Sequence, residues 1–430
     1  MNNVVIIADD LTGAADTGVQ FCPFFEDTTL VSYQKLEQLL EPRPSAGSQA
    51  TAVYTDSRAL AAEEARQRVA AVGRRLVALQ PLWIYKKIDS CMRGNVGAEA
   101  DALLDALGCE VSFIAPAFPE MGRTTENDIH RVHGIPLDRT EIARDPIAPV
   151  KEAKLSRIVQ AKSGYSVGHV AAAFLDGTES ELQAEIHRKI RSGFRHLVFD
   201  AANRKHLDRI AGLVYDLPAK VLPVGSAGLA GSLTKSLGLC RKPVTLRPKP
   251  AGAGCNLLVC GTASKVTARQ IENLVSTYAC EWIRLPSRLL AEQVLCDELA
   301  QAASAAGSTL MKKSVILTIA QQPSDPAAAG KEQLQPMAYA VAGGLGLFAA
   351  EVLAHTRPGH LFLTGGDTAD AVMTAVEAGG IRILAEAAVG VVEGELFGGP
   401  LDGLPVVTKA GAFGQDDTLV ALYEGWQKKV

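Results

Sequence analysis

The sequence predicts an α/β protein of two domains, each a largely parallel sheet flanked by helices. Two observations carry this expectation. Short apolar, β-branched runs recur just ahead of polar or small-residue turns that open helices, the pattern of a doubly wound parallel sheet. That pattern breaks once, between Leu239 and Gly254, where Arg, Lys, Pro and Gly replace apolar periodicity before strand and helix signals resume. The boundary is placed near residue 245, giving domains 1–245 and 246–430.

Composition narrows the function classes. A chain of 430 residues with 47% hydrophobic and 21% charged residues has the makeup of a globular protein large enough for two cores. Its formal net charge of -4 argues against a broad nucleic-acid footprint, so any positive field is local. Eight cysteines are scattered without a C-x-x-C pair, which signals neither a zinc site nor a disulfide framework and fits reduced thiols. Met1-Asn2-Asn3 runs directly into Val4-Val5-Ile6-Ile7-Ala8 with no basic leader, and no uninterrupted apolar run approaches the roughly eighteen residues of a membrane span. These features predict a cytoplasmic protein that binds neither membrane nor nucleic acid; they leave association between copies of the chain open.

In chain order, Val4 to Ala8 reads as a buried first strand ending in Asp9-Asp10, with a helix beginning near Thr12 or Gly13. Paired carboxylates at a sheet's C-terminal edge suit a hydroxyl proton or Mg²⁺, although a helix N-cap explains one of the two equally well. Ala52-Val53-Tyr54 is a second strand, followed by Thr55-Asp56-Ser57-Arg58, which adds Arg58 as a candidate cation. Leu82-Trp83-Ile84 then delivers Lys86, Lys87, Ile88, Asp89, Ser90 and Arg93 within one turn. Lys and Arg supply charge and forked donors for a carboxylate or phosphate, and Asp89 and Ser90 can pair with hydroxyls.

Ser112 to Ala115 is a further strand, and the segment Pro116 to Pro149 shows little periodicity, marking a functional or mobile loop in which Arg123, His130, Arg131 and His133 can line a site. His130-x-x-His133 lacks a carboxylate or cysteine partner at a familiar interval, so no transition metal is expected. The turn Gly225 to Ser232 can bring backbone close to an anion. In the second half, strand, turn and helix repeat at Leu257 to Thr267 with Ser264, at Leu361 to Asp370 with Gly365, Gly366, Asp367 and Thr368, and at Pro405 to Gly414 with Gly411. Such turns suit a nucleotide's phosphates. Lys409 beside the last turn can reach a phosphate, though a structural turn explains its glycines as well. No G-x-x-x-x-G-K-[ST], protein-kinase signature or G-x-G-x-x-G after the first strand occurs.

Six stretches, in order, carry a resemblance: IIADDLTGAADTGVQF, YKKIDSCMRGNVGAE, APAFPEMGRTT, VGSAGLAGSL, FLTGGDTA and PVVTKAGAFGQDDTL. Together they resemble the four-carbon acid sugar kinase family across nearly the whole chain. The family's first strand often carries ADDFTG where this chain has ADDLTG, and the DTGVQF and KKIDS stretches look most like those of D-threonate kinases. The resemblance implies an ATP-dependent kinase of the terminal 4-hydroxyl, with the sugar acid on the N-terminal domain, ATP on the C-terminal domain and the active site in the cleft between them.

It further implies that Asp10, Arg58, Lys86, Lys87, Ile88 and Asp89 contact the acid, beside Arg93, and that Ser264, Gly365 to Thr368 and Gly411 contact the nucleotide. In-line transfer would use Asp10 or Asp89 to orient or deprotonate the hydroxyl, with Mg²⁺ on the phosphates. D-threonate is the first expectation, ahead of D-erythronate and 3-oxo-tetronate. A nicotinamide-dependent oxidoreductase and a non-catalytic sugar-acid and nucleotide sensor are the readings from other classes.

Overall fold

The computed structural model describes residues 3–37, 47–145, 147–236, 238, 241, 254–320 and 331–427. The boundary expected near residue 245 lies outside them. The chain divides into two compact units, Met1–Lys242 and Pro243–Val430.

The first unit contains β1 (Asn3–Ala8), β2 (Asp27–Ser32), β3 (Gln49–Tyr54), β4 (Trp83–Lys87), β5 (Val111–Ala115), β6 (Arg123–Glu126), β7 (Ile129–Val132), β8 (Ile135–Pro136), β9 (Val167–Val170), β10 (His196–Phe199) and β11 (Val221–Gly225). Eight of these form one sheet in the order β2-β3-β1-β4-β11-β5-β10-β9. Every pairing in it is parallel. Val4, Ile6, Ile7 and Ala8 of β1 are fully buried, as an apolar run covered on both faces must be.

β1 lies between β3 and β4, where the strand order reverses direction, the place at which open α/β sheets bind ligands. The register sets Ala8 level with both Tyr54 and Lys87, so the chain segments that follow β1, β3 and β4 emerge side by side.

Residues 116–149 contain more order than their composition predicts. β6, β7 and β8 form a small antiparallel sheet. Its strands span two to four residues and are largely polar, too short for a period of two to stand out.

The second unit adds β12 (Leu257–Cys260), β13 (Glu281–Pro286), β14 (Val315–Ala320), β15 (Leu361–Thr364), β16 (Gly380–Ala388), β17 (Val391–Phe397) and β18 (Pro405–Lys409). They run in the order β13-β14-β12-β15-β18-β17-β16. The pairings from β13 to β18 are parallel, and β17 and β16 add an antiparallel hairpin. Leu258, Ile316, Phe362 and Val407 pack with Tyr423 and Trp426 of the last helix in one core cluster.

The helix Lys331–His355 contains, over Pro336–His355, a segment long and apolar enough to cross a bilayer, which a search for an uninterrupted apolar run passes over. Half of that segment is buried, and the helix packs on the helices Asp297–Leu310 and Gly366–Ala375 of its own unit. No disulfide occurs among the described residues.

Candidate active site

Asp10 follows β1 and caps the helix Leu11–Phe21: its Oδ1 accepts from Gly13 N at 2.9 Å and its Oδ2 from Thr12 Oγ1 at 2.8 Å. Arg58, following β3, completes its shell, with Nη1 2.9 Å from Oδ2 and Nη2 2.8 Å from Oδ1. The same guanidinium also grips Asp9, Nε to Oδ2 at 2.6 Å and Nη2 to Oδ1 at 3.1 Å. Neither Asp9 nor Asp10 is therefore a loose surface acid. Burial alone would raise the Asp9 carboxyl, but Arg58, backed by Lys86 and Lys87, outweighs it and holds the group below the usual carboxylate range.

The two lysines of β4 have opposite fates because successive strand residues face opposite sides of a sheet. Lys86 is fully buried and its Nζ lies 2.6 Å from Glu99 Oε2 on the helix Val96–Leu107. Lys87 faces the helix Leu11–Phe21. A Cβ placed on Gly13 would come within 2.8 Å of Lys87 Nζ and 2.5 Å of Asp10 Oδ1, so the glycine makes room for this meeting. Lys87 is only 4% exposed, yet its ammonium makes no hydrogen bond among the described residues. Three charged N–H donors thus stand ready at the end of β4.

The loop after β4 is held from two sides. Arg93 closes back on Asp89, Nε to Oδ2 at 2.7 Å and Nη2 to Oδ1 at 3.2 Å, and reaches Asp145 at 3.3 Å. Burial would raise Asp89, but Arg93, then Arg58 and Lys87, drive it far below the ordinary range and keep it ionised. His130 of β7 is buried, with Nε2 2.7 Å from Ser90 O and Nδ1 2.9 Å from Thr125 Oγ1. Burial lowers its pKa to about 4, so the neutral ring donates to the Ser90 carbonyl and ties the loop to the small sheet. Ile88 is 1% exposed, and its N donates to Gly225 O at 2.9 Å, leaving its carbonyl as the group it can offer a ligand. A cavity of about 470 Å³ borders Arg58, with Met92, Gly94, Lys151 and Lys162 in its wall.

In the second unit the three turns foreseen from sequence converge. They follow β12, β15 and β18, which are neighbours in the sheet. Gly261 packs against Thr368, and Gly411 and Gly365 against Thr262, so Thr262, which the sequence motifs do not single out, joins all three. Ser264 caps the helix Lys265–Thr277 without using its hydroxyl for the cap, and its N–H donates to Thr262 Oγ1 at 3.2 Å. Gly365 has φ 98°, a left-handed conformation that glycine adopts without strain, and it opens the helix Gly366–Ala375, whose first turn carries Asp367. The hydroxyl of buried Thr364, one residue earlier, has no hydrogen-bond partner.

Lys409 does not reach toward a phosphate. Its Nζ is buried and donates to Thr267 Oγ1, Ala410 O and Phe413 O at 3.1 Å and to Gly411 O at 3.3 Å, pinning the last turn to the helix Lys265–Thr277. Burial lowers its pKa to about 8. The unfolded lysine binds a proton up to about pH 10.5, so between the two values unfolding takes up a proton and the native state gains stability as pH rises. Lys409→Met is therefore expected to cost more stability at pH 10 than at pH 7. Urea unfolding of both proteins at the two pH values checks the sign.

Among the described residues no group of three or more His, Cys, Asp or Glu side chains is placed to hold a metal ion. Asp367, in the first turn of the helix Gly366–Ala375, is the carboxylate that the sequence places at the glycine turn.

Comparison with known proteins agrees with this division of labour. Residues 4–233 match the model of a sugar-binding N-terminal domain, and residues 257–419 that of a nucleotide-binding C-terminal domain. A D-erythronate kinase of Heliobacterium modesticaldum is 33% identical over 434 residues, covering 97% of this chain and 95% of that protein. D-threonate kinases of Salmonella typhimurium and Bordetella bronchiseptica are also 33% identical, over 98% and 96% of this chain and 97% and 95% of theirs. A solved Haemophilus influenzae structure, at 23% identity, covers 98% of this chain and 100% of its own with a TM-score of 0.69, which shows a shared fold.

Proposed function

Because this chain belongs to the four-carbon acid sugar kinase family, and so is an ATP-using sugar-acid kinase, we propose that it phosphorylates the 4-hydroxyl of D-threonate. The observation that carries the acceptor half is Lys87, 4% exposed, whose ammonium stands by Asp10 over Gly13 and makes no hydrogen bond among the described residues. A small anion satisfies those donors. Two of the relatives named above are D-threonate kinases, which supports this substrate. D-erythronate is the second reading, because a D-erythronate kinase is equally similar.

In this reading Lys87 binds the acid's carboxylate and the Ile88 carbonyl one of its hydroxyls. Asp10 already accepts two bonds from its own helix start and two from Arg58, so its lone pairs are engaged. We assign the attacking hydroxyl to Asp89 instead. Held ionised, Asp89 is a weak base but a good hydrogen-bond acceptor, which suffices where the transition state is loose and positioning dominates. Arg93 keeps it in place. On the nucleotide side, the N–H groups at Ser264, Gly365 to Thr368 and Gly411 receive phosphate oxygens. Asp367 and the nucleotide's phosphates would hold Mg²⁺, which would neutralise charge on the phosphates. We place the enzyme in the cytoplasm, where ATP is plentiful.

The test is ADP release with Mg-ATP against D-threonate, D-erythronate, L-threonate and 3-oxo-tetronate. Turnover is expected on D-threonate. Turnover on D-erythronate in its place would establish the second reading, and silence across the panel would overturn both.

A further inference from the structure

We infer that Glu99 is the positioning residue of the sugar-acid site, and that Lys86 acts through it instead of touching the acid. The inference rests on the acceptor reading above and deepens it, withdrawing one lysine from the contacts and adding a residue from a helix behind the sheet. Lys86 is fully buried; its Nζ meets Glu99 Oε2 at 2.6 Å and donates to Lys87 O at 3.0 Å. Its Nζ is fully enclosed and bound to Glu99 and the Lys87 carbonyl, so it does not reach the acid.

The other oxygen of Glu99 reaches further. Oε1 accepts from Ser57 Oγ at 2.8 Å, Ser57 Oγ lies 2.7 Å from Thr55 Oγ1, and Thr55 Oγ1 donates to Ala8 O at 2.9 Å. Ser57 N donates to Asp9 O at 3.0 Å. Lys86, Glu99, Ser57 and Thr55 thus form one buried polar chain across the ends of β4, β3 and β1. Each end delivers a site residue one or two positions later: Lys87 after Lys86, Arg58 after Ser57, and Asp10 after Ala8. A single carboxylate sets the spacing of all three.

The test is a double-mutant cycle of Glu99→Leu, Lys86→Met and the pair, with Glu99→Gln as the conservative variant. Each single change leaves one member of a buried ion pair without its partner, whereas the pair removes both. Glu99→Leu and Lys86→Met are each expected to raise the KM for the sugar acid by about tenfold or more while the KM for ATP stays unchanged. The pair is expected to be no worse than Glu99→Leu alone, because the link to Ser57 is already gone there, and Glu99→Gln is expected to lose less than either. A pair whose loss is the sum of the two single losses would mean that Lys86 binds the acid directly, and would overturn the inference.

Should Glu99→Leu fail to fold, Glu99→Gln and its combination with Lys86→Met carry the same comparison. A crystal structure of Lys86→Met without substrate reads the same point independently of turnover. Ser57 and Arg58 are expected to shift; Arg58 still seated on Asp9 and Asp10 would overturn the inference. A wild-type enzyme silent on the acid panel would overturn the acceptor reading alone.

Discussion

Lys87→Met is expected to lower kcat/KM for the sugar acid by about a thousandfold and to leave nucleotide binding unchanged. The side chain is 4% exposed and its ammonium donates to nothing among the described residues, so a bound anion meets a charge whose donors are all unengaged. A charge-assisted contact in such a site is worth about 2–5 kcal/mol, hence the size of the effect. Met keeps most of the side chain's length and removes a charge without orphaning a hydrogen-bonded partner, so the melting temperature should hold or rise. Initial rates over a grid of both substrates, with calorimetric ATP binding, measure all three. A loss confined to KM marks a contact made equally in ground and transition states; a loss in kcat marks one made only at the transition state. Turnover near the wild-type value would remove Lys87 from the site.

Asp10→Asn should cut turnover by about a hundredfold with the fold intact, because two jobs of the carboxylate separate. Asn caps a helix about as well as Asp, so its Oδ1 keeps the bond from Gly13 N, while its NH₂ in the place of Oδ2 can donate to Thr12 Oγ1. The amide cannot match the charge of Arg58, and its NH₂ would point donor to donor at one guanidinium nitrogen. Arg58 then keeps Asp9 and one of its two bonds to residue 10, and the mouth of the site loosens. Steady-state ADP release beside a thermal melt decides it: turnover within a few-fold of wild type, with Arg58 in place, would show that Asp9 suffices.

Much of this architecture was legible in the order of residues. The strand, turn and helix repeats predict both parallel sheets, and membership of the kinase family disposes of the oxidoreductase and sensor readings. Asp10, Arg58, Lys87 and Asp89 come together because their motifs follow strands that prove to be neighbours. What the motifs could not convey is side-chain direction. Lys86 and Lys87 read alike in KKIDS, and only the pleat of β4 sends one to Glu99 and the other to Gly13. Lys409 looked able to reach a phosphate, but its alternation places it inward, where four acceptors hold it. Glu99 carries no reading of its own in the sequence; the signal that marks it is its place in the first turn of the helix Val96–Leu107, close behind the lysine loop. His130 was foreseen near the site, but not its bond to Ser90, since the hairpin carrying it has strands too short to detect.

The two lysines have a consequence for how the strand itself is placed. A slide of β4 by one residue against β1 would exchange Lys86 and Lys87 and present each side with the same functional group, so their chemistry does not distinguish the correct alignment from its neighbour. The discrimination falls to Tyr85, fully buried, whose hydroxyl donates to Ser226 O at 2.6 Å, and which a slide would turn toward the helix Val96–Leu107. A buried tyrosine thus decides which lysine stands by Asp10 and which by Glu99.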